Sequence, residues 1–370
     1  MRIVQIIDTI ASGGKERQLC ELAKGLVGTP DVALSVVVLS DVVQYGALGE
    51  LGVPIHMLRR TGGASLTDFV RVLNTLKQLR PDVVHSWNSM CSVYGAPAAM
   101  RCGAGFVNGF FRSAPARLSW GLRMRTLLTQ PLSHVAVANS RAGLAAFHLA
   151  PRKSVCIYNG FDEARLANLP PPEEVRRSLG IRTHNVVGMV GAFSPLKDYR
   201  SYLDVAAGMT RSRADVTFLA VGAGPELEAF QREFPPTEYP RIRFLGRRSD
   251  VEAIASILTV GVLATHTEGI SNAIMEYMAV GKPVVATDCP GNRELVEDGG
   301  SGFLVGECDP AALRGRIDQL LDDPELATRL GARGRTRITE DFSLKAMTKA
   351  YLALYRRVID KRAGKISQAQ

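Results

Sequence analysis

Short β-branched runs alternate with longer amphipathic stretches along the whole chain, and this rhythm restricts the fold more than any other feature. RIVQIID, ALSVVVL, DVVHS, GFVNGF, HVAVAN and SVCIY come first, followed by VVGMVGA, DVTFLAV, RIRFL, VGVLA and PVVAT. Strands that are apolar on both faces need cover on both, and the stretches between them are long enough for crossover helices. The pattern is therefore that of βαβ units and parallel sheets. Pro170, Pro171 and Pro172 form the strongest break, and each side of it holds enough strands for its own doubly wound sheet. A linker is expected near residues 160–172. The last stretch, SLKAMTKAYLALYRRVI, sets Leu344, Met347, Tyr351, Leu354 and Val358 on one helical face, so it predicts a helix that docks on apolar surface.

With 370 residues, 46% hydrophobic and 22% charged, the chain is long enough for two cores and too apolar to be disordered. No apolar run reaches the roughly 18 to 20 residues of a membrane span. The opening MRIVQIIDTIASGG reads as a first strand entering a glycine loop and lacks the features of a signal peptide, which predicts a cytoplasmic protein. Six cysteines without a Cys-x-x-Cys pair fit reduced thiols used as small core residues, not a zinc site. The net charge of +9 is concentrated in the first half: between Asp82 and Asp162 there is no acidic residue, while Arg101, Arg112, Arg117, Arg123, Arg125, Arg141, Arg152 and Lys153 all lie there. Such a field attracts an anionic membrane surface or a pyrophosphate-bearing substrate; the alternative is a solvated basic face. Nucleic acid is disfavoured, since no zinc finger, helix-turn-helix or ribonucleoprotein motif accompanies the charge.

Ligands of open parallel sheets sit beyond the carboxyl ends of strands, so loops that follow strands carry the search. In VGVLATHTEGISNAIMEYMAVGKPVVAT a strand ends near Ala264, a turn follows, and Ser271 is the natural cap of a helix. The amides around Gly269, Ile270 and Ser271 make an anion seat, and Gly269 lets a ligand approach the backbone. The helix is apolar all round except at Glu276. A buried carboxylate needs partners, so Glu276 either takes two hydroxyl donors from a ligand, as a ribose diol would supply, or pairs with a basic core residue. Gly13 and Gly14 lie between the first strand and the first helix, where their amides would face an anion from the other domain. Lys197 follows a strand and the Gly191 turn, within reach of a diphosphate; the alternative is an exposed lysine at a helix start. Neither a Walker loop nor the Gly-x-Gly-x-x-Gly dinucleotide fingerprint is present.

These motifs, in this order, resemble family 4 of the retaining glycosyltransferases with GT-B architecture. Glu268 and Glu276 stand in its Glu-x7-Glu spacing, accompanied by GGKER, VANS, IYNGFD, VGAGPE, FLGRRSDV and GGSGFLV, and the resemblance covers essentially the whole chain. It implies two Rossmann-like doubly wound domains facing across a cleft. Residues 1–163 would form the acceptor side, residues 173–345 would bind the nucleotide sugar, and a C-terminal helix over about 349–363 would cross back to the first domain. It further implies that Glu276 holds the ribose hydroxyls, Glu268 contacts the donor sugar, and Lys197, the Gly14 loop and the amides after Glu268 hold the diphosphate. Leu245, Gly246 and Arg247 would frame the base. Two departures stand out: Ala192 follows Gly191 where relatives often have arginine, and Phe111-Arg112-Ser113 replaces a common histidine. Arg112 is thus a candidate sugar or phosphate contact, or part of the basic surface.

The reaction so implied moves a sugar from a nucleotide diphosphate, UDP favoured, to a hydroxyl of a glycan or lipid-linked acceptor, as in cell-surface or exported polysaccharide biosynthesis. The main catalytic task is to stabilise charge on the departing diphosphate. Residues 83–161 offer no carboxylate for a covalent route, so front-face substitution with retention is expected. No cofactor is implied, and no Asp-x-Asp element calls for a metal. Residues 112–128, with Trp120, Leu122 and Leu127 among arginines, read as a segment for an anionic membrane surface beside such an acceptor, or as an ordinary surface helix. The rivals are a nucleotide-sugar epimerase of similar fold, a nicotinamide enzyme, disfavoured for want of its fingerprint, and a membrane-surface or assembly protein without turnover.

Overall fold

The computed structural model describes residues 1–11, 13–41, 47–61, 65–115 and 117–364. Two units emerge from it, one of Met1–Gly160 with Leu344–Gln370 and one of Phe161–Ser343. The first unit carries β1 (Arg2–Ile7), β2 (Ala33–Val38), β3 (Ile55–Met57), β4 (Val83–Ser86), β5 (Gly105–Phe111), β6 (Val135–Ala138) and β7 (Ser154–Cys156). They form one sheet in the order β3-β2-β1-β4-β5-β6-β7, and every pairing is parallel. The second unit carries β8 (Asn185–Val190), β9 (Val216–Val221), β10 (Ile242–Gly246), β11 (Val260–Leu263), β12 (Val284–Thr287) and β13 (Gly302–Val305). Its order, β10-β9-β8-β11-β12-β13, repeats the same winding, again parallel throughout. Both units are doubly wound, with the strand order reversing between β1 and β4 in the first and between β8 and β11 in the second.

The central strands are buried along their length because helices cover both faces: β4, β6, β9, β11 and β12 have no exposed residue. Each fully buried Val, Leu or Ile contributes about 1.5 to 3 kcal/mol, so these runs dominate the cores. Two strands do not stand out in the sequence as apolar runs. The edge strand β3 is only Ile-His-Met, and β13 is Gly-Phe-Leu-Val; both form because a neighbouring strand supplies the ladder.

The helix Leu344–Arg362 packs in the first unit, on the Gly14–Val27 helix and on β5. It buries Met347, Thr348, Tyr351, Leu354, Tyr355 and Val358: of the stripe its periodicity predicts only Leu344 is half-buried, and Thr348 and Tyr355 are added. Tyr355 reaches inward because its hydroxyl meets Nδ1 of the buried His85 at 2.8 Å. Close approach depends on Gly105, where a Cβ would fall 2.4 Å from Cγ1 of Val358. The proline run does not separate the units. Pro172 opens the helix Pro172–Ser178 at a first-turn position where proline fits, and the chain changes unit at Gly160–Phe161.

Candidate functional site

In the second unit the loops after β8 and β11 lie side by side at the point where the strand order reverses. Backbone bonds stitch them together: Asp198 N donates to Ala264 O at 3.1 Å and His266 N to Leu196 O at 3.1 Å, and Lys197 bridges Thr265. Thr265 Oγ1 adds a bond to Leu196 O at 2.8 Å. The stitching carries Lys197 to Glu268, whose carboxylate forms an ion pair with the ammonium. Both side chains are largely shielded, 16% and 19% exposed, so their charges are screened less than a surface pair would be. Gly191, at the start of the first loop, has its carbonyl fixed by the Tyr199 hydroxyl at 3.0 Å.

The next step of the chain is the helix Asn272–Ala279. Ser271 caps it, accepting from Ile274 N at 3.4 Å, and Gly269, Ile270 and Ser271 are buried just ahead of it. The start of this helix and its macrodipole favour an anion there. One contributor was not legible in the sequence: Gly291, at the start of the helix Pro290–Leu295. A Cβ at Gly291 would stand 2.1 Å from Gly269 O and 2.4 Å from Glu268 O, so only glycine lets the Glu268–Gly269 turn rest there. Its one cue is a glycine just after a helix-opening proline.

Glu276 is 2% exposed, and its carboxylate lies 3.3 Å from the Arg165 guanidinium. The basic core partner that the sequence left open to it is Arg165. Arg165 also pairs with Glu252, so two buried carboxylates share one guanidinium. Arg165 sits in the short turn Glu163–Leu166, with no periodicity to announce it. Leu245 and Gly246 end β10, where Gly246 adopts φ of +64° and accepts from Gly222 N at 2.8 Å; Arg247 follows on the exposed side.

Gly13, Gly14 and Arg112 belong to the first unit. Gly13 precedes the Gly14–Val27 helix in extended conformation, and the Glu16 carboxylate folds back so closely that a Cβ on Gly13 would meet Oε2 at 2.3 Å. Burial raises the Glu16 pKa, and the neighbouring Lys15 opposes that rise. The helix start thus already holds a carboxyl group with Lys15 beside it at 3.5 Å. Arg112 is turned inward. Its guanidinium lies 3.9 Å from the centre of the Trp87 ring, donates to Gly109 O at 3.2 Å and bonds Tyr351. Burial lowers its pKa, partly offset by Tyr351.

The helix Trp120–Thr129, capped by Ser119, presents Trp120, Leu127 and Leu128 to solvent, at 77%, 65% and 61% exposure. Leu122 departs from the sequence grouping: it packs inward beside Phe110, Phe111 and Phe147, and Leu128 takes its place on the outer face. Of residues 112–128, Ala116 lies outside the described residues. Among the described residues no helix is long and apolar enough to cross a membrane.

Residues 172–337 match the family described as glycosyl transferases group 1, and residues 12–165 match glycosyltransferase family 4. The alpha-D-kanosaminyltransferase of Streptomyces kanamyceticus is 29% identical over 189 residues, 50% of this chain and 49% of that protein. The lipopolysaccharide core biosynthesis glycosyltransferase LpsD of Rhizobium meliloti is 27% identical over 296 residues, 79% of this chain and 80% of that protein. The chain thus spans about half the length of the first relative. HepE of Anabaena, solved with UDP and glucose, superposes with a TM-score of 0.83 at 22% identity, covering 96% of this chain and 99% of that one. At that identity the likeness concerns fold.

Proposed function

The chain belongs to the family 4 glycosyltransferases, two Rossmann-like units of the GT-B fold, and from that premise we propose that it moves a sugar from a UDP-sugar to a hydroxyl with retention of configuration. The observation that carries this reading is the shielded Lys197 ammonium held at the β8/β11 reversal beside a capped helix start. Together they offer a fixed positive charge and oriented amides where a departing diphosphate would gather negative charge. The bond from the anomeric carbon to phosphate oxygen breaks, the acceptor oxygen bonds the same face, and the acceptor proton passes to the leaving phosphate oxygen. Lys197 and the amides at Gly269, Ile270 and Ser271 stabilise the leaving group. Glu268 orients the donor sugar, and the incoming diphosphate competes with it for Lys197.

Glu276 takes the ribose hydroxyls while Arg165 remains on Glu252. Leu245, Gly246 and Arg247 frame the base. UDP is favoured because HepE was solved with it, and an acceptor in lipopolysaccharide assembly because LpsD is named for that pathway. The outer face of the helix Trp120–Thr129 would bring the protein to an anionic membrane carrying a lipid-linked acceptor. The scheme uses no metal and no cofactor.

A thermal-shift panel of nucleotide sugars, followed by determination of the product anomer by NMR in chelator, tests the reading. A UDP-sugar should raise the melting temperature by binding only the folded state, and the product should keep the donor's anomeric configuration. Lys197→Ala should lower kcat by about 100-fold or more. An inverted anomer, a strict demand for divalent metal, or conversion of donor without acceptor, as an epimerase would give, overturns it.

A further inference from the structure

Beside the Lys197–Glu268 pair, three strand-end loops bring together a histidine, a thiol and two carboxylates that the transfer reaction does not use. His266 Nδ1 lies 2.7 Å from Glu307 Oε1. Donor atoms of His266, Glu307 and Cys308 all fall within 4.8 Å of one another, and the three side chains are exposed. The Cys308 thiol is hydrogen-bonded to Asp198, a buried carboxylate whose Oδ1 caps the Tyr199–Ser212 helix at 3.0 Å. Cys308 itself adopts φ of +53°, a left-handed conformation that costs a residue with a Cβ about 1 kcal/mol or more. In that conformation its sulfur meets Asp198 and stays within reach of the imidazole.

We propose that His266, Glu307 and Cys308, with the Cys308 thiol steadied by Asp198, form a three-ligand surface site for a borderline-soft divalent cation of the zinc class, its fourth position left to water. One imidazole, one thiolate and carboxylate oxygens are ligands that zinc takes in tetrahedral sites, whereas magnesium and calcium demand oxygen alone. Metal–ligand bonds of about 2.0 to 2.3 Å set ligand atoms closer together than the widest separation here, and exposed side chains close that gap by rotation. Burial and the nearby Asp198 and Glu307 charges raise the Cys308 pKa; a bound cation reverses the electrostatics, and the thiol proton leaves to solvent. Cys308 is 42 positions from His266 in sequence, which is why no Cys-x-x-Cys spacing announces the site.

Reduced, untagged protein titrated with Co2+ and back-titrated with Zn2+ tests it. Expected are a thiolate-to-cobalt charge-transfer band, tetrahedral d–d absorption, and displacement of both by Zn2+. Cys308→Ser should abolish the charge-transfer band and weaken Zn2+ at least about tenfold, and His266→Ala should weaken Zn2+ to a similar extent. Asp198→Asn keeps a capping oxygen and should weaken Zn2+ by less. Cys102→Ser should change nothing. Far-ultraviolet circular dichroism shows that each variant is folded. Absence of the charge-transfer band, its survival in folded Cys308→Ser, or Zn2+ affinity unchanged in folded His266→Ala overturns the assignment.

Discussion

Glu276 shows how far a single residue can be read. Its isolation on an apolar helix was legible, because burying a lone carboxylate costs several kcal/mol and so demands a partner. Which partner was not legible, since Arg165 lies 111 positions away in a turn without periodicity. One guanidinium facing Glu252 and Glu276 leaves Glu276 able to exchange its partner, while Arg165 keeps the other. Glu276→Gln should raise the donor KM by about 10- to 100-fold, the worth of hydrogen bonds to a charged acceptor at about 1.5 to 3 kcal/mol, with kcat little changed; steady-state kinetics with varied donor checks this. Donor KM unaltered in the variant would assign Glu276 to the Arg165 network alone. Lys197 and Glu268 were both legible as strand-end residues, yet their pairing, and the need for glycine at 291, arise from loops that meet only in the folded unit.

At the scale of elements, patterning succeeded where each segment carries its own signature. The β-branched runs became central parallel strands because both faces of such strands need apolar cover. It fell short at β3 and β13, whose pairing comes from a neighbour, and at Leu122, whose neighbours Phe110, Phe111 and Phe147 draw it inward. The helix Leu344–Arg362 was legible from its stripe, but its seat was not. That seat needs Gly105, since a side chain there would strike Val358. Gly105→Val should destabilise the first unit by about 1 to 3 kcal/mol through overpacking, read as a lower midpoint in urea denaturation. An unchanged midpoint would mean that the helix yields without cost.

For the whole molecule, the two sheets share one winding, and the second places its candidate chemistry at the reversal of strand order, where the loops of two central strands diverge. The first unit adds a basic field and an outward row of Trp120, Leu127 and Leu128. Sedimentation with vesicles of anionic and of neutral lipid should show binding to the anionic ones, weakened by salt. Changing Trp120, Leu127 and Leu128 together to serine should reduce that binding by at least about tenfold, since each buried apolar side chain is worth on the order of 1.5 kcal/mol or more. Equal binding to both lipids, or none, would remove the membrane role. The sequence alone determined the α/β class, two sheets, the family and the loops that carry charge, because hydrophobic period and motif order are local properties of the chain. Only tertiary structure decided that Glu252 and Glu276 share Arg165, that Glu16 covers the first helix start, that Arg112 turns inward and that Cys308 meets His266. Each of these joins residues separated along the chain, except the Glu16 fold-back, and that too is a choice of rotamer made by packing.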